Sequence, residues 1–203
     1  ALGIVPCFVD SELTAMGIPV ACETDIHGAL TSILLQNAST TGSPTFFCDL
    51  TIRHPENENG ELLWHCGPFA HELARDKKKA YVGAHFILPS GAPGTGNWEI
   101  RGGDVTVARF DGMGGAYSLF MGHARGTEGP FTLGTYLWIE APDWPLWEEK
   151  FIYGPYIHHV VGVHDTAAYA LYEATRFIPG LEPDPANPTE DEIRAWLRGA
   201  DLG

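Results

Sequence analysis

Between Gly67 and Gly134 glycine and proline interrupt the chain so often that no long helix can run through it. Much of the total of 24 glycines and 15 prolines falls there. Gly-rich turns separate three runs, Asp104 to Phe110, Ala116 to Arg125 and Phe131 to Glu140, and the first alternates in part (Val105, Val107, then Phe110). Just upstream, Thr45 to Ile52 is dense in β-formers. A polar turn (His54 to Gly60) links it to Leu62–Cys66, the pattern of a hairpin with a longer loop. Short strands at this even spacing predict a β-barrel or sandwich. Gly91 to Gly96 lacks the GK[ST] ending of a phosphate loop and reads as a turn or mobile loop.

The flanks read differently. Residues 1–22 hold two short apolar runs, Ile4 to Val9 and Ile18 to Cys22. From Asp25 to Asn37, Ile26, Ala29, Leu30, Ile33 and Leu34 follow helical spacing. Asp143 to Trp147 reads as a proline-broken aromatic loop whose tryptophans plug a barrel mouth, and Asp165 to Phe177 as a helix. Pro179 to Pro188 is a proline-rich linker, and Thr189-Glu190-Asp191-Glu192 is a capping box before a last helix. The fold class expected is α+β, mainly β: a short α/β segment with an amphipathic helix leads into an antiparallel β-barrel, with helices at the C-terminus. The expected division is 1–40 as the remnant of an α/β domain, a strand and helix carrying Glu23. A β-barrel-like domain follows over 41–180, and the linker with its terminal helix over 181–203.

Twelve basic residues against 26 acidic ones leave a net charge of −14, a surface that repels phosphate backbones and anionic lipid; neither nucleic acid nor membrane is expected as a partner. No apolar run approaches the ~18 residues that span a bilayer. Four cysteines (Cys7, Cys22, Cys48, Cys66) without a CxxC motif read as reduced apolar residues, which favours a cytoplasmic location. The start at Ala1-Leu2-Gly3, without methionine, suggests a piece of a longer protein.

Candidate chemistry centres on Glu23-Thr24-Asp25, two carboxylates between an apolar run and a helix. Ligands in mixed α/β folds gather at strand ends, so Glu23 is a candidate metal ligand, with Asp49, His65 and His159 gathered around it. Asp25, beside the helix start, is the candidate N-cap. His65 sits in an apolar strand, where an imidazole needs a partner. His158 and His159 are expected on opposite faces of a strand, one toward a metal and one toward solvent or substrate. Carboxylates with imidazole suit Mn²⁺, Mg²⁺ or Co²⁺.

Four segments in order carry a resemblance: Ala21-Cys22-Glu23-Thr24-Asp25-Ile26-His27-Gly28, Phe46-Phe47-Cys48-Asp49, His65-Cys66-Gly67 and His158 to His164. Together with Gly103 to Arg109 they resemble the metal-binding, C-terminal half of the L-fucose isomerase/L-arabinose isomerase family. That resemblance implies a divalent metal, Mn²⁺ first, held by Glu23, Asp49 and His159. The arabinose-type enzymes add a fourth ligand at the position of His65. The fucose type, with which Asp49 places this chain, uses water there. His158 stands where the fucose type has a substrate-contacting asparagine. The implied reaction is aldose–ketose isomerisation of a sugar through a cis-enediol, with Glu23 and Asp49 as the proton-moving carboxylates. Upstream α/β domains, partly from another subunit of a homo-oligomer, would complete the site. The alternative is a non-catalytic, metal-stabilised sugar-binding or assembly subunit.

Overall fold

The structure is a computed structural model that describes residues 3–89, 91–113, 116–165, 167, 171–173, 181–183 and 187–199. Among the described residues nine strands form one sheet in the order β3-β4-β7-β2-β1-β8-β5-β6-β9: β1 Thr45–Arg53, β2 Gly60–His65, β3 Tyr81–Ala84, β4 Pro93–Glu99, β5 Gly103–Met113, β6 Ala116–Thr127, β7 Thr135–Glu140, β8 His159–Val163 and β9 Leu181–Pro183. An extra β6–β7 pairing joins β7, β2, β1, β8, β5 and β6 into a closed barrel of six antiparallel strands, which leaves no open edge among them. Four α-helices lie wholly among the described residues, α1 Cys7–Ala15, α2 Ile26–Ala38, α3 Trp144–Ile152 and α4 Glu190–Gly199, beside the helical piece at 171–173.

Alternation along the strands sorts residues between two cores. Phe46, Cys48, Leu63, Val105, Val107, Phe120, Leu137 and Val160 fill one cluster, joined by Trp144 and Trp147 of α3. Their neighbours Phe47, Ala108, Val161 and Val163 pack with Leu35 of α2 in a second. Gly28 makes the helix seat possible, because a Cβ there would stand 2.6 Å from the Phe47 ring. The turn at Gly28 therefore lies directly over β1, two residues from Asp49.

Several local expectations need correction. Ile18–Cys22 is not a strand: Ile18 N–H closes the end of α1 on Leu13 C=O (2.9 Å), Pro19 offers no donor for a ladder, and Cys22–Thr24 forms a 3₁₀ turn. Glu23 thus stands on a turn rather than at a strand end. Pro93 to Gly96 is part of β4, paired with β3 and packed under Trp98, not a loop. Asp143–Trp147 opens α3; Asp143 accepts the Leu146 N–H (3.1 Å) and Pro145 sits in the first turn, where its missing N–H costs nothing. The tryptophans do enter the barrel core. Residues 181–183, read as linker, add a strand parallel to β6. The helix expected over Asp165 to Phe177 lies largely outside the described residues, of which 171–173 are helical. The capping box forms, with Glu192 N–H donating to Thr189 Oγ1 (3.3 Å) and Thr189 N–H to Glu192 Oε2 (2.7 Å). Among the described residues no helix is long and apolar enough to cross a membrane.

Gly162 on β8 lies against Phe46, whose ring a Cβ would overlap. Gly162→Ala is expected to cost about 1–3 kcal/mol by overpacking, read as a lower midpoint in chemical denaturation. An unchanged midpoint would mean that Phe46 repacks freely.

Candidate metal centre

Register builds the site. The β1–β8 pairing sets Asp49 opposite His159, and the β1–β2 pairing sets Asp49 opposite Trp64. Glu23 arrives from the 3₁₀ turn beside α2. Glu23 (φ 56°) and Thr24 (φ 65°) are both left-handed, a conformation costing a non-glycine residue about 1–2 kcal/mol. Such strain persists where the surroundings enforce it, and often at functional sites. Here it carries Glu23 Oε2 to 3.6 Å from His159 Nε2.

Asp25 is the pivot. Its Oδ1 caps α2 by accepting the Gly28 N–H at 2.9 Å, as its place in the sequence predicts. The same carboxylate accepts both terminal nitrogens of Arg109, with Nη2 at 3.1 Å, and faces His159 Nδ1 at 3.0 Å. Arg109 is 1% exposed and also binds Asp111 (3.1 Å), which in turn meets His27 Nδ1 at 2.9 Å. Burial opposes ionisation of Asp25, yet the His159, Arg109 and Gly28 donors hold it well below the usual carboxylate range. An ionised carboxylate can only accept, so His159 carries its proton on Nδ1.

With the Nδ1 proton held on Asp25, the other ring nitrogen, Nε2, is the atom turned toward the remaining carboxylates. That atom faces Asp49 Oδ1 at 3.2 Å, out of hydrogen-bond alignment, and both atoms are buried without a hydrogen-bond partner. Burial, and then Glu23, raise the Asp49 carboxyl to about 6, although His159 pulls the other way. Unshared pairs at this spacing repel unless a cation or proton lies between them. Donors about 3 Å apart are also what an ion with bonds near 2.1 Å gathers on adjacent positions. The residues present therefore fit a divalent ion held by oxygen and imidazole.

His158 does not diverge from His159 as expected of strand neighbours. β8 begins only at His159, and His158 turns its Nε2 to 3.5 Å from the same Asp49 oxygen. Asp49, His158 and His159 together form a group that could hold a metal ion, with ligand atoms within 4.8 Å of one another. His158 is also mostly exposed. His65 is buried nearby but spends its Nδ1 lone pair on the Gly67 N–H (3.1 Å), which leaves the proton on Nε2. Burial lowers it to about 3. The Phe47 ring touches both His65 and His159, with centroids 5.2 and 4.8 Å away. The residues that sequence reasoning missed are Arg109 and Asp111. One signal was available: a charged pair, Arg109 and Asp111, continuing the buried alternation of Val105 and Val107.

Arg109→Met would leave Asp25 and Asp111 buried without their shared cation. A loss of about 3–5 kcal/mol is expected in chemical denaturation. Arg109→Lys should recover only part of it, because an ammonium lacks the fork that holds both carboxylates.

No family model matches the chain. It is similar to curated sulfoquinovose isomerases. That of Priestia megaterium (strain ATCC 12872 / QMB1551) is 32% identical over 142 residues, 68% of this chain and 30% of the relative. The Alkalicoccus urumqiensis protein is 36% identical over 120 residues, 59% of this chain and 26% of that one. The Clostridium sp. (strain MSTE9) protein is 41% identical over 85 residues, 42% and 18%. The chain spans about 30% of the length of the first of these relatives. It is related to sugar isomerases through a part of them.

Proposed function

We propose that the chain carries the metal-binding portion of a divalent-metal-dependent aldose–ketose isomerase of the fucose/arabinose type. The observation that carries this reading is the facing pair of buried atoms without a hydrogen bond, Asp49 Oδ1 and His159 Nε2, with Glu23 and His158 beside them. Kinship to proteins named sulfoquinovose isomerase supports it and makes sulfoquinovose the first sugar to test.

Glu23, Asp49 and His159 would hold the ion, Mn²⁺ first among Mn²⁺, Mg²⁺ and Co²⁺. When bound, such an ion polarises neighbouring carbonyl and hydroxyl oxygens as a Lewis acid. The chain's own residues do the rest. Asp25 fixes the His159 ring and its tautomer, as carboxylate partners of metal-binding histidines do. Glu23 and Asp49 are the carboxylates placed to move protons between C1, C2 and their hydroxyls. His158 lies at the exposed rim, where it can contact the sugar. His65 supports the Phe47 side of the site. The remaining sugar contacts, homo-oligomer formation and upstream α/β domains that complete the site belong to this same proposal.

Mn²⁺ at about 100 times its Kd should stabilise the chain by about 2.7 kcal/mol, seen as a rise of several degrees in the melting midpoint. Glu23→Gln, Asp49→Asn and His159→Ala should each lose the rise. Three variants that keep it would sink the reading. Ketose formation from sulfoquinovose by the Mn²⁺-loaded chain would separate an isomerase from a metal-stabilised binding subunit.

The pH dependence follows from Asp49. Its raised carboxyl must lose a proton to bind a cation, so affinity should fall as pH drops below about 6. The loss should approach tenfold per pH unit, measured by Mn²⁺ titration calorimetry. Affinity that is flat from pH 7 to 5 would exclude Asp49 as a ligand.

A further inference from the structure

Away from the metal centre, Cys7 and Cys66 meet across 59 residues of sequence, with their sulfurs 3.6 Å apart. Cys7 opens α1, and the Cβ position of Gly67 lies 3.3 Å from Cys7 Cα, so the two backbones are already in contact. A nitrogen of His85 joins the sulfurs in a group spanning no more than 4.8 Å. Three such residues could suggest a zinc site. The ring does not fit one. His85 Nδ1 already accepts the Leu88 (3.0 Å) and Ile87 (3.3 Å) amides, so its only neutral lone pair is used and its other nitrogen carries the proton. In this arrangement the imidazole has no free lone pair to offer a metal.

We propose that Cys7 and Cys66 are a redox-modification site, closing to a reversible disulfide on reaction with a small hydroperoxide. Closure needs the sulfurs to approach from 3.6 Å to about 2.05 Å, within reach of side-chain rotation. Cys7 is 7% exposed, which admits a molecule the size of hydrogen peroxide more readily than a bulky disulfide. Its place on the first turn of α1 favours the thiolate, and the Cys66 contact, working against burial, brings its thiol down to about 7. In the first step the Cys7 thiolate attacks the peroxide O–O bond. A sulfenic acid forms and hydroxide leaves, taking a proton to become water. Cys66 sulfur then attacks the sulfenic sulfur; the S–O bond breaks, and the departing oxygen takes the Cys66 proton as water. The two thiols lose two electrons and two protons in total, and one peroxide becomes two waters. The new bond would fasten α1 to the end of β2, next to His65.

The test treats the full chain with hydrogen peroxide in chelator, blocks free thiols with N-ethylmaleimide under denaturing conditions and maps peptides by mass spectrometry. The expected product is a Cys7–Cys66 cross-link with Cys22 and Cys48 still alkylated, reversed by dithiothreitol. The oxidised chain should melt higher by on the order of 10 °C. Cys66→Ser should instead accumulate a sulfenic acid at Cys7 that dimedone traps. Four unmodified thiols, or a cross-link through Cys22 or Cys48, would overturn the proposal. So would zinc that copurifies with the chain and is released in Cys7→Ser. None of these outcomes depends on the Glu23–Asp49–His159 centre.

Discussion

One carboxylate, that of Asp25, holds the N-terminus of α2, the Arg109 guanidinium from β5 and the His159 imidazole from β8. These elements are far apart in sequence, and the buried charge brings them together. An acidic group in an apolar wall is tolerable only when its charge is answered in full. Asp25 meets that condition with several donors, and Arg109 answers Asp111 as well. The helix, two barrel strands and the Glu23 turn are thereby fixed in mutual register.

The neighbouring charges are not answered in the same way. Asp111 has Arg109 and His27, whereas Asp49 and His159 turn a buried oxygen and a buried nitrogen toward each other without a hydrogen bond. Two satisfied carboxylates beside one unsatisfied cluster is the pattern expected of a rigid support for a cation. The strained turn at Glu23 points the same way, since its left-handed backbone places a further carboxylate at that cluster. In this arrangement the barrel supplies stiffness: Phe47 and Val161 are locked under α2, while Asp49 and His159 follow two residues along the same faces.

Much of the scaffold was legible locally. Thr45 to Ile52 and Leu62 to Cys66 announced β1 and β2 through β-branched and aromatic residues, and the glycine spacing announced β5 to β7. Where periodicity was short it misled: Ile18–Cys22 has the apolar content of a strand but closes a helix and enters a 3₁₀ turn. Pro145 looked like a breaker because a proline at a helix start and one in a loop are alike in sequence. The ligand candidates Glu23, Asp49 and His159 came from the resemblance together with residue chemistry. What no local reading could supply was pairing across distance. Asp25 to Arg109 spans 84 residues, and Cys7 to Cys66 spans 59. The assignment of Asp25 as a cap was right but incomplete, because its second and third partners come from other strands.

The central claim is that a divalent cation belongs between Asp49, His159 and Glu23. The most direct measurement is anomalous X-ray diffraction from crystals of the chain grown with Mn²⁺. The account predicts an anomalous peak bonded to Asp49 Oδ1, His159 Nε2 and Glu23 Oε2, with His159 Nδ1 still on Asp25. A map with no peak at that position, or one whose peak lies only elsewhere on the protein, would contradict it.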